Sequence, residues 1–341
     1  MFHWQKLAKE HNHLQKQLLK VSPDSSCINT KLELKKNYIT IFENELFKLN
    51  CYINEQCTSN HIALCVYSLV NQVTILDFSR EISFISSLNL LYQKVYVIEW
   101  KLLTEQTMNY RLEQYCIASI SLAVDESIMD ANTTSVDLFG VCQGGVFSLV
   151  YSAIFPKKIN RLVLLMTPVD HQKLYYQSQL IAFYKLQVLP ELKILTKEVV
   201  KNYFASLRPL KHYLGRYIDI ACSSSLKRKK LLAIDNWLDQ PMPLAINVFN
   251  EYYKKIIQKN QLIEGNLTLA EHQVNLMNIN FPVINVCAVY DQLVPIESTK
   301  SLSSVVSSPY DEIILNTGHI GIFTQKRYLN QFIRQFKRLI D

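Results

Sequence analysis

The sequence predicts an α/β protein, a mostly parallel, doubly wound sheet interrupted by an inserted helical cap. Three observations predict it. Short aliphatic runs alternate with helical stretches from about residue 61, the alternation stops between about 171 and 275, and it then resumes to the C-terminus. Strands covered on both faces read as unbroken Val, Ile and Leu runs, and strands alternating with helices imply parallel pairing.

Each element follows from local pattern. In the first twenty or so residues Trp4, Leu7, Leu14, Leu18 and Leu19 form an apolar stripe at helical spacing, so 1–40 is read as an N-terminal helical segment. Strands are expected at 62–67, 95–98, 136–139, 162–166, 283–289 and 312–315, with helices over 105–125 and 145–155. These define a core of 41–170 and 276–341. The stretch 171–275 is rich in Tyr, Leu, Lys and Gln. It carries Leu174, Tyr175, Leu180, Phe183, Tyr184 and Leu186 at amphipathic spacing and shows no convincing strand. A helical insertion there is placed to cover a site at the carboxyl ends of the strands.

Composition narrows the class. The chain has 341 residues, of which 49% are hydrophobic and 19% charged, which excludes global disorder. No run reaches the ~18 apolar residues of a membrane span. The N-terminus lacks the charged-then-apolar layout of a signal peptide, so the chain is expected in the cytoplasm. A net charge of +7 is too mild for a nucleic-acid binder. Its densest cluster, residues 227–230, reads as a solvated helix face, with an anionic ligand such as a CoA phosphate as the sharper alternative. None of the eight cysteines forms a CxxC pair, which argues against a metal site or a redox dithiol. Cys51 and Cys57 sit in what reads as a polar loop. Cys65, Cys116 and Cys287 read as small buried hydrophobes. His61, His171, His212 and His272 read as surface or cap residues, and no cofactor is called for.

One cysteine differs. Gly140-Val141-Cys142-Gln143-Gly144-Gly145 follows an expected strand and opens a helical pattern. This is the strand–turn–helix setting of a nucleophile elbow, the hallmark of an α/β-hydrolase fold, with Cys in place of Ser. The turn strains the nucleophile's backbone, and its neighbours must be small; Gly140, Gly144 and Gly145 meet that demand. An elbow needs an acid and then a histidine downstream, each at a strand end. Asp291, in Val289-Tyr290-Asp291-Gln292, and His319, in Asn316-Thr317-Gly318-His319-Ile320-Gly321, satisfy order and context. Cys142 is thus the expected nucleophile, His319 its base, and Asp291 the group that orients the imidazole. The oxyanion hole is expected from the backbone N–H of Gln143 and a second from the loop near Val70 or Asn71. A cysteine suits thioester exchange, because the acyl group stays activated for a second transfer.

The box Gly140–Gly145 resembles the cysteine lipase box of poly(3-hydroxyalkanoate) synthases. So do Val66-Tyr67-Ser68-Leu69-Val70-Asn71 with Leu76-Asp77, and residues 95–100, Thr167-Pro168-Val169-Asp170, 291–295 and 318–321, in family order. The short length resembles the PhaC subunit of the two-component (class III or class IV) enzymes. The chain departs from the family's usual residues at Gln292, Lys101 and Gln72-Val73. The resemblance implies an acyltransferase that polymerises (R)-3-hydroxyacyl-CoA, with 3-hydroxybutyryl-CoA the expected unit, and releases CoA through a thioester on Cys142. It also implies a second subunit (PhaE or PhaR), a homo-oligomer and association with polyester granules, and it leaves Asp291 a further role in activating the 3-hydroxyl. Two other functions compete: a cysteine-elbow hydrolase of a thioester or lactone, and a non-catalytic granule protein.

Overall fold

The aliphatic runs become the strands of one sheet. The computed structural model describes residues 37–174, 193–207, 219 and 223–340. Among these, the strands are β1 (Ile39–Glu43), β2 (Phe47–Ile53), β3 (Ala63–Val66), β4 (Lys94–Trp100), β5 (Val136–Val141), β6 (Ile159–Leu165), β7 (Ile194–Leu195), β8 (Leu244–Ala245), β9 (Leu267–Leu269), β10 (His272–Val274), β11 (Val283–Ala288) and β12 (Tyr310–Leu315). Eight of them form the central sheet in the order β1-β2-β4-β3-β5-β6-β11-β12. β1, β2 and β4 pair antiparallel in sequence. From β4 through β12 every pairing is parallel. Every residue of β3, β5 and β11 is buried, including the polar Asp137 of β5 and Asn285 of β11 among otherwise mostly apolar residues. The chain leaves β3 toward β4 on one side and reaches β5 on the other, so a topological switch lies between β3 and β5. In such sheets the crevice at the carboxyl ends of the switch strands is where sites form.

One part of the core is filled by aromatic rings. Phe84 lies 5.3 Å from Phe323 and 5.6 Å from Phe332, and Phe139 lies 5.5 Å from Phe336. Phe332 and Phe336 are one helical turn apart on the C-terminal helix Lys326–Ile340, which explains how a strongly charged helix docks through a single apolar stripe.

Some expectations shift. Strands β1 and β2 were not legible, and Cys51, read into a polar loop, is buried inside β2. Its neighbour Asn50 breaks the apolar run yet is fully buried. Asn50 accepts from the Thr40 hydroxyl at 2.8 Å and donates to Glu99 at 2.7 Å, which satisfies the amide. β1 begins inside the segment 1–40. The stripe Trp4, Leu7, Leu14, Leu18 and Leu19 lies outside the described residues, as do Tyr175, Leu180, Phe183, Tyr184, Leu186 and His212. The stretch 171–275, read as strand-free, contains two small antiparallel pairings, β7 with β8 and β9 with β10.

The chain divides into two compact units. One comprises Leu34–Thr196 with Met242–Asp341, and holds every strand named above; the other contains Lys197–Pro241. The described part of the latter has the helices Lys197–Leu207 and Ser225–Leu238 and a Lys201–Asp239 ion pair at 3.1 Å. In the basic cluster, Lys227 and Lys229 are exposed while Arg228 and Lys230 are half-buried. No described helix is long and apolar enough to cross a membrane.

Candidate active site

Strand β5 ends at Val141, and the helix Gln143–Ile154 starts two residues later. Cys142 joins them with φ 53° and ψ −121°, a conformation that L-residues adopt only under constraint. The constraint comes from both sides: Cys142 N–H donates to the Leu165 carbonyl at 2.9 Å, and its own carbonyl accepts from Gly145 at 3.0 Å. The glycines are required by close approach. A Cβ on Gly140 would strike the Gly145 backbone, one on Gly144 the Val66 carbonyl, and one on Gly145 the Thr167 side chain. Sharp reversal and tight flanks leave the Cys142 side chain partly exposed at the carboxyl edge of the sheet. Among the described residues Cys57 is also partly exposed, whereas four other thiols are sequestered. Cys65, Cys116, Cys287 and Cys51 are buried, and burial raises all four thiols, Cys287 and Cys51 to about 11.

Asp291 and His319 come from loops just beyond β11 and β12. Asp291 is buried, and its Oδ1 accepts from the backbone N–H groups of Leu293 and Val294, both at 2.9 Å. Its Oδ2 lies 2.6 Å from His319 Nδ1. The His319 ring also lies close enough to the Cys142 sulfur to interact with it electrostatically. Burial alone would lower the His319 pKa. The Asp291 carboxylate and the Cys142 sulfur outweigh it and hold the imidazole well above its ordinary value. Of the three side chains read from the sequence, Asp291 and His319 are in direct contact, and the Cys142 sulfur is near enough to act on the imidazole. Gly321 is also needed here, since a Cβ would run into Thr317.

The loop after β3 is tied to the elbow. Gln143 Oε1 accepts from the Leu69 N–H at 3.1 Å and from the Ser68 hydroxyl at 3.4 Å. Val70, one expected oxyanion donor, has its N–H directed at Ser68 Oγ at 3.0 Å. Asn71 uses its side-chain oxygen to accept from the Gln72 N–H at 2.7 Å. The Gln143 N–H opens the elbow helix, where no intrahelical acceptor exists.

Sequence reasoning missed two tyrosines and misread a histidine. Tyr67 and Tyr252 are buried beside Cys142. Burial first, and the nearby sulfur second, keep both phenols well above the usual tyrosine range and therefore neutral. Tyr252 packs its ring 6.2 Å from Phe147 of the elbow helix, and its hydroxyl lies 3.4 Å from His171 Nε2. His171, read as a surface or cap residue, is 1% exposed. Burial pushes its pKa down to about 4, so it is neutral at ordinary pH. His61 and His272 are exposed, as read. The signal for Tyr252 lay 81 residues from His171, beyond any local pattern. No cluster of three or more His, Cys, Asp or Glu suited to a metal ion occurs among the described residues.

Against known proteins, residues 104–326 match the family model for the alpha/beta hydrolase fold. The poly(3-hydroxyalkanoate) polymerase subunit PhaC of Allochromatium vinosum is 31% identical over 268 residues, covering 76% of this chain and 75% of that protein. The subunit of the same name from Synechocystis sp. is 27% identical over 272 residues, covering 76% and 72%. Among solved structures, a hydrolase from Pseudomonas aeruginosa PA01 superimposes with a TM-score of 0.57 over 89% of this chain and 98% of its own at 11% identity, a likeness of fold. Fold, elbow and relatives agree, and the chain belongs to the poly(3-hydroxyalkanoate) polymerase family, built on the α/β-hydrolase fold.

Proposed function

We propose that this chain is an acyltransferase that polymerises (R)-3-hydroxyacyl-CoA, with 3-hydroxybutyryl-CoA as the expected unit, through a thioester on Cys142. The observation that carries this reading is the 2.6 Å contact between Asp291 and His319, with the imidazole in electrostatic reach of the Cys142 sulfur at the end of an elbow strand. Family membership supports the substrate class. The Cys142 sulfur attacks the thioester carbonyl, a carbon–sulfur bond to CoA breaks, and the imidazolium of His319 returns a proton to the departing thiolate. The acyl group is now a thioester on Cys142. In the extension step His319 accepts the proton of a 3-hydroxyl as that oxygen attacks the enzyme-bound acyl carbonyl. An ester forms, the Cys142–acyl bond breaks, and the thiolate–imidazolium pair is restored.

Asp291 orients His319 and balances its charge. Its two oxygens are engaged by Leu293, Val294 and His319, which favours this role over direct activation of the 3-hydroxyl. The Gln143 N–H, with a second N–H from Val70 or Asn71, stabilises the oxyanion. The reading also assigns the catalytic core to 41–170 and 276–341 and substrate access to 171–275. It includes a second subunit (PhaE or PhaR), self-association and a location at the granule surface.

The test is incubation with (R)-3-hydroxybutyryl-CoA, with and without the candidate second subunit, following thiol release and product. CoA and polymer are expected. CoA with free 3-hydroxybutyric acid would reassign the chain as a hydrolase, and no CoA under any partner condition would contradict acyl transfer.

A further inference from the structure

The loop that should supply the second oxyanion donor is not open. Four hydrogen bonds hold it. Gln143, the residue after the nucleophile, reaches across to take the Leu69 N–H at 3.1 Å and the Ser68 hydroxyl at 3.4 Å. Ser68 Oγ in turn takes the Val70 N–H at 3.0 Å. On the other side, the Val70 carbonyl accepts from Met242 N–H at 3.0 Å. Ser68 and Leu69 are buried, 5% and 6% exposed, and Val70 is half-buried.

The two engaged amides are not equivalent. Leu69 is held by a carboxamide anchored in the elbow itself, so releasing it would dislodge the loop. Val70 is held by a hydroxyl two residues away, which a single χ1 rotation withdraws. We propose that Ser68 is a positioning residue that controls the second oxyanion donor: its hydroxyl occupies the Val70 N–H in the resting site and surrenders it to the acyl oxygen as charge develops, while Gln143 keeps the loop in register. This rests on the acyl-transfer reading and adds to it a residue that acts through Val70.

The chemistry favours the exchange at one moment only. A neutral serine oxygen and a neutral thioester carbonyl compete for the N–H on similar terms. An oxyanion is a far stronger acceptor and wins the donor outright. In the resting rotamer the Ser68 hydroxyl donates to Gln143 Oε1 at 3.4 Å while its oxygen takes the Val70 N–H at 3.0 Å. A donor released only to developing charge lowers the barrier without tightening ground-state binding. The Ser68 contact withholds part of that gain, because it must be broken first.

Removing the hydroxyl therefore speeds acylation. In single turnover with p-nitrophenyl acetate, Ser68→Ala should acylate Cys142 about fivefold faster than the parent protein, the size of one lost competing hydrogen bond, with KM little changed. Ser68→Thr, which keeps the hydroxyl, should restore the parent rate. Amide exchange at Val70, which needs no catalysis, should accelerate at least threefold in Ser68→Ala, the smaller effect expected from losing one weak hydrogen bond. An unchanged or slower acylation rate in Ser68→Ala, or unchanged exchange at Val70, would overturn the proposal. Failure of the polymerase reading has a separate signature: acylation of Cys142 by the ester with no CoA released from (R)-3-hydroxybutyryl-CoA.

Discussion

Strand β5 carries a carboxylate at one end and leads into the proposed nucleophile at the other, and each end hosts an acid–cation contact of the same length. At the amino end Asp137 meets Arg161 at 2.6 Å, and at the carboxyl end Asp291 meets His319 at 2.6 Å. Distance does not distinguish them; what surrounds the cation does. Asp137 is enclosed by Tyr92 and Asn160, each donating at 2.6 Å, and lies among the aromatic rings of the core. Nothing in that cluster turns over. His319 instead has a second face, toward the Cys142 sulfur, at the open edge of the sheet. A saturated pair holds the fold, and a pair with one unsaturated side can move a proton. Buried ion pairs are poor indicators of function until their remaining hydrogen-bonding capacity is counted.

The comparison can be broken most sharply at the carboxyl end. Cys142→Ala should remove CoA release by about 10⁴-fold or more with a melting temperature close to the parent, and Asp291→Asn or His319→Gln should lower CoA release by about 10²- to 10⁴-fold. Steady-state thiol release and calorimetry on the same samples check this. Loss of stability in step with activity would erase the contrast between the two ends.

Asp137→Asn should do the reverse. It leaves Arg161 in a site built for a carboxylate and should cost about 3–5 kcal/mol in denaturant unfolding, with kcat per folded molecule unchanged.

The smallest effect is a pH dependence. The folded-state pKa of His171, about 4, lies below the ordinary 6.5. The unfolded chain therefore takes up a proton before the folded one does. Stability from this residue is complete above about pH 6.5 and is lost as pH falls toward 4, by about 3 kcal/mol in all. His171→Phe should flatten that part of the stability profile.

The same contrast explains what could be read in advance. The elbow was legible because its demands are local: small flanks, a strand before and a helix after, all within a few residues of Cys142. The contact between Asp291 and His319 could be anticipated from chain order and from their positions after apolar strands. The fold class followed from unbroken aliphatic runs. Features set by distant partners were hidden. Asn50 disguised β2 because its satisfaction comes from Thr40 and Glu99. His171 looked solvent-facing because Tyr252, its neighbour in space, lies far along the chain. The engagement of the Val70 N–H by Ser68 is local, yet a serine in a loop carries no mark of which amide it will take.

The account rests on an acyl group passing through one sulfur. Rapid quench of the protein with (R)-3-hydroxybutyryl-CoA, followed by peptide mass spectrometry, reads that directly. A hydroxylamine-labile 3-hydroxybutyryl adduct on the peptide containing Cys142, absent from Cys142→Ala, is the predicted result. CoA release that proceeds undiminished in Cys142→Ala, with no adduct at that residue in the parent protein, would contradict it.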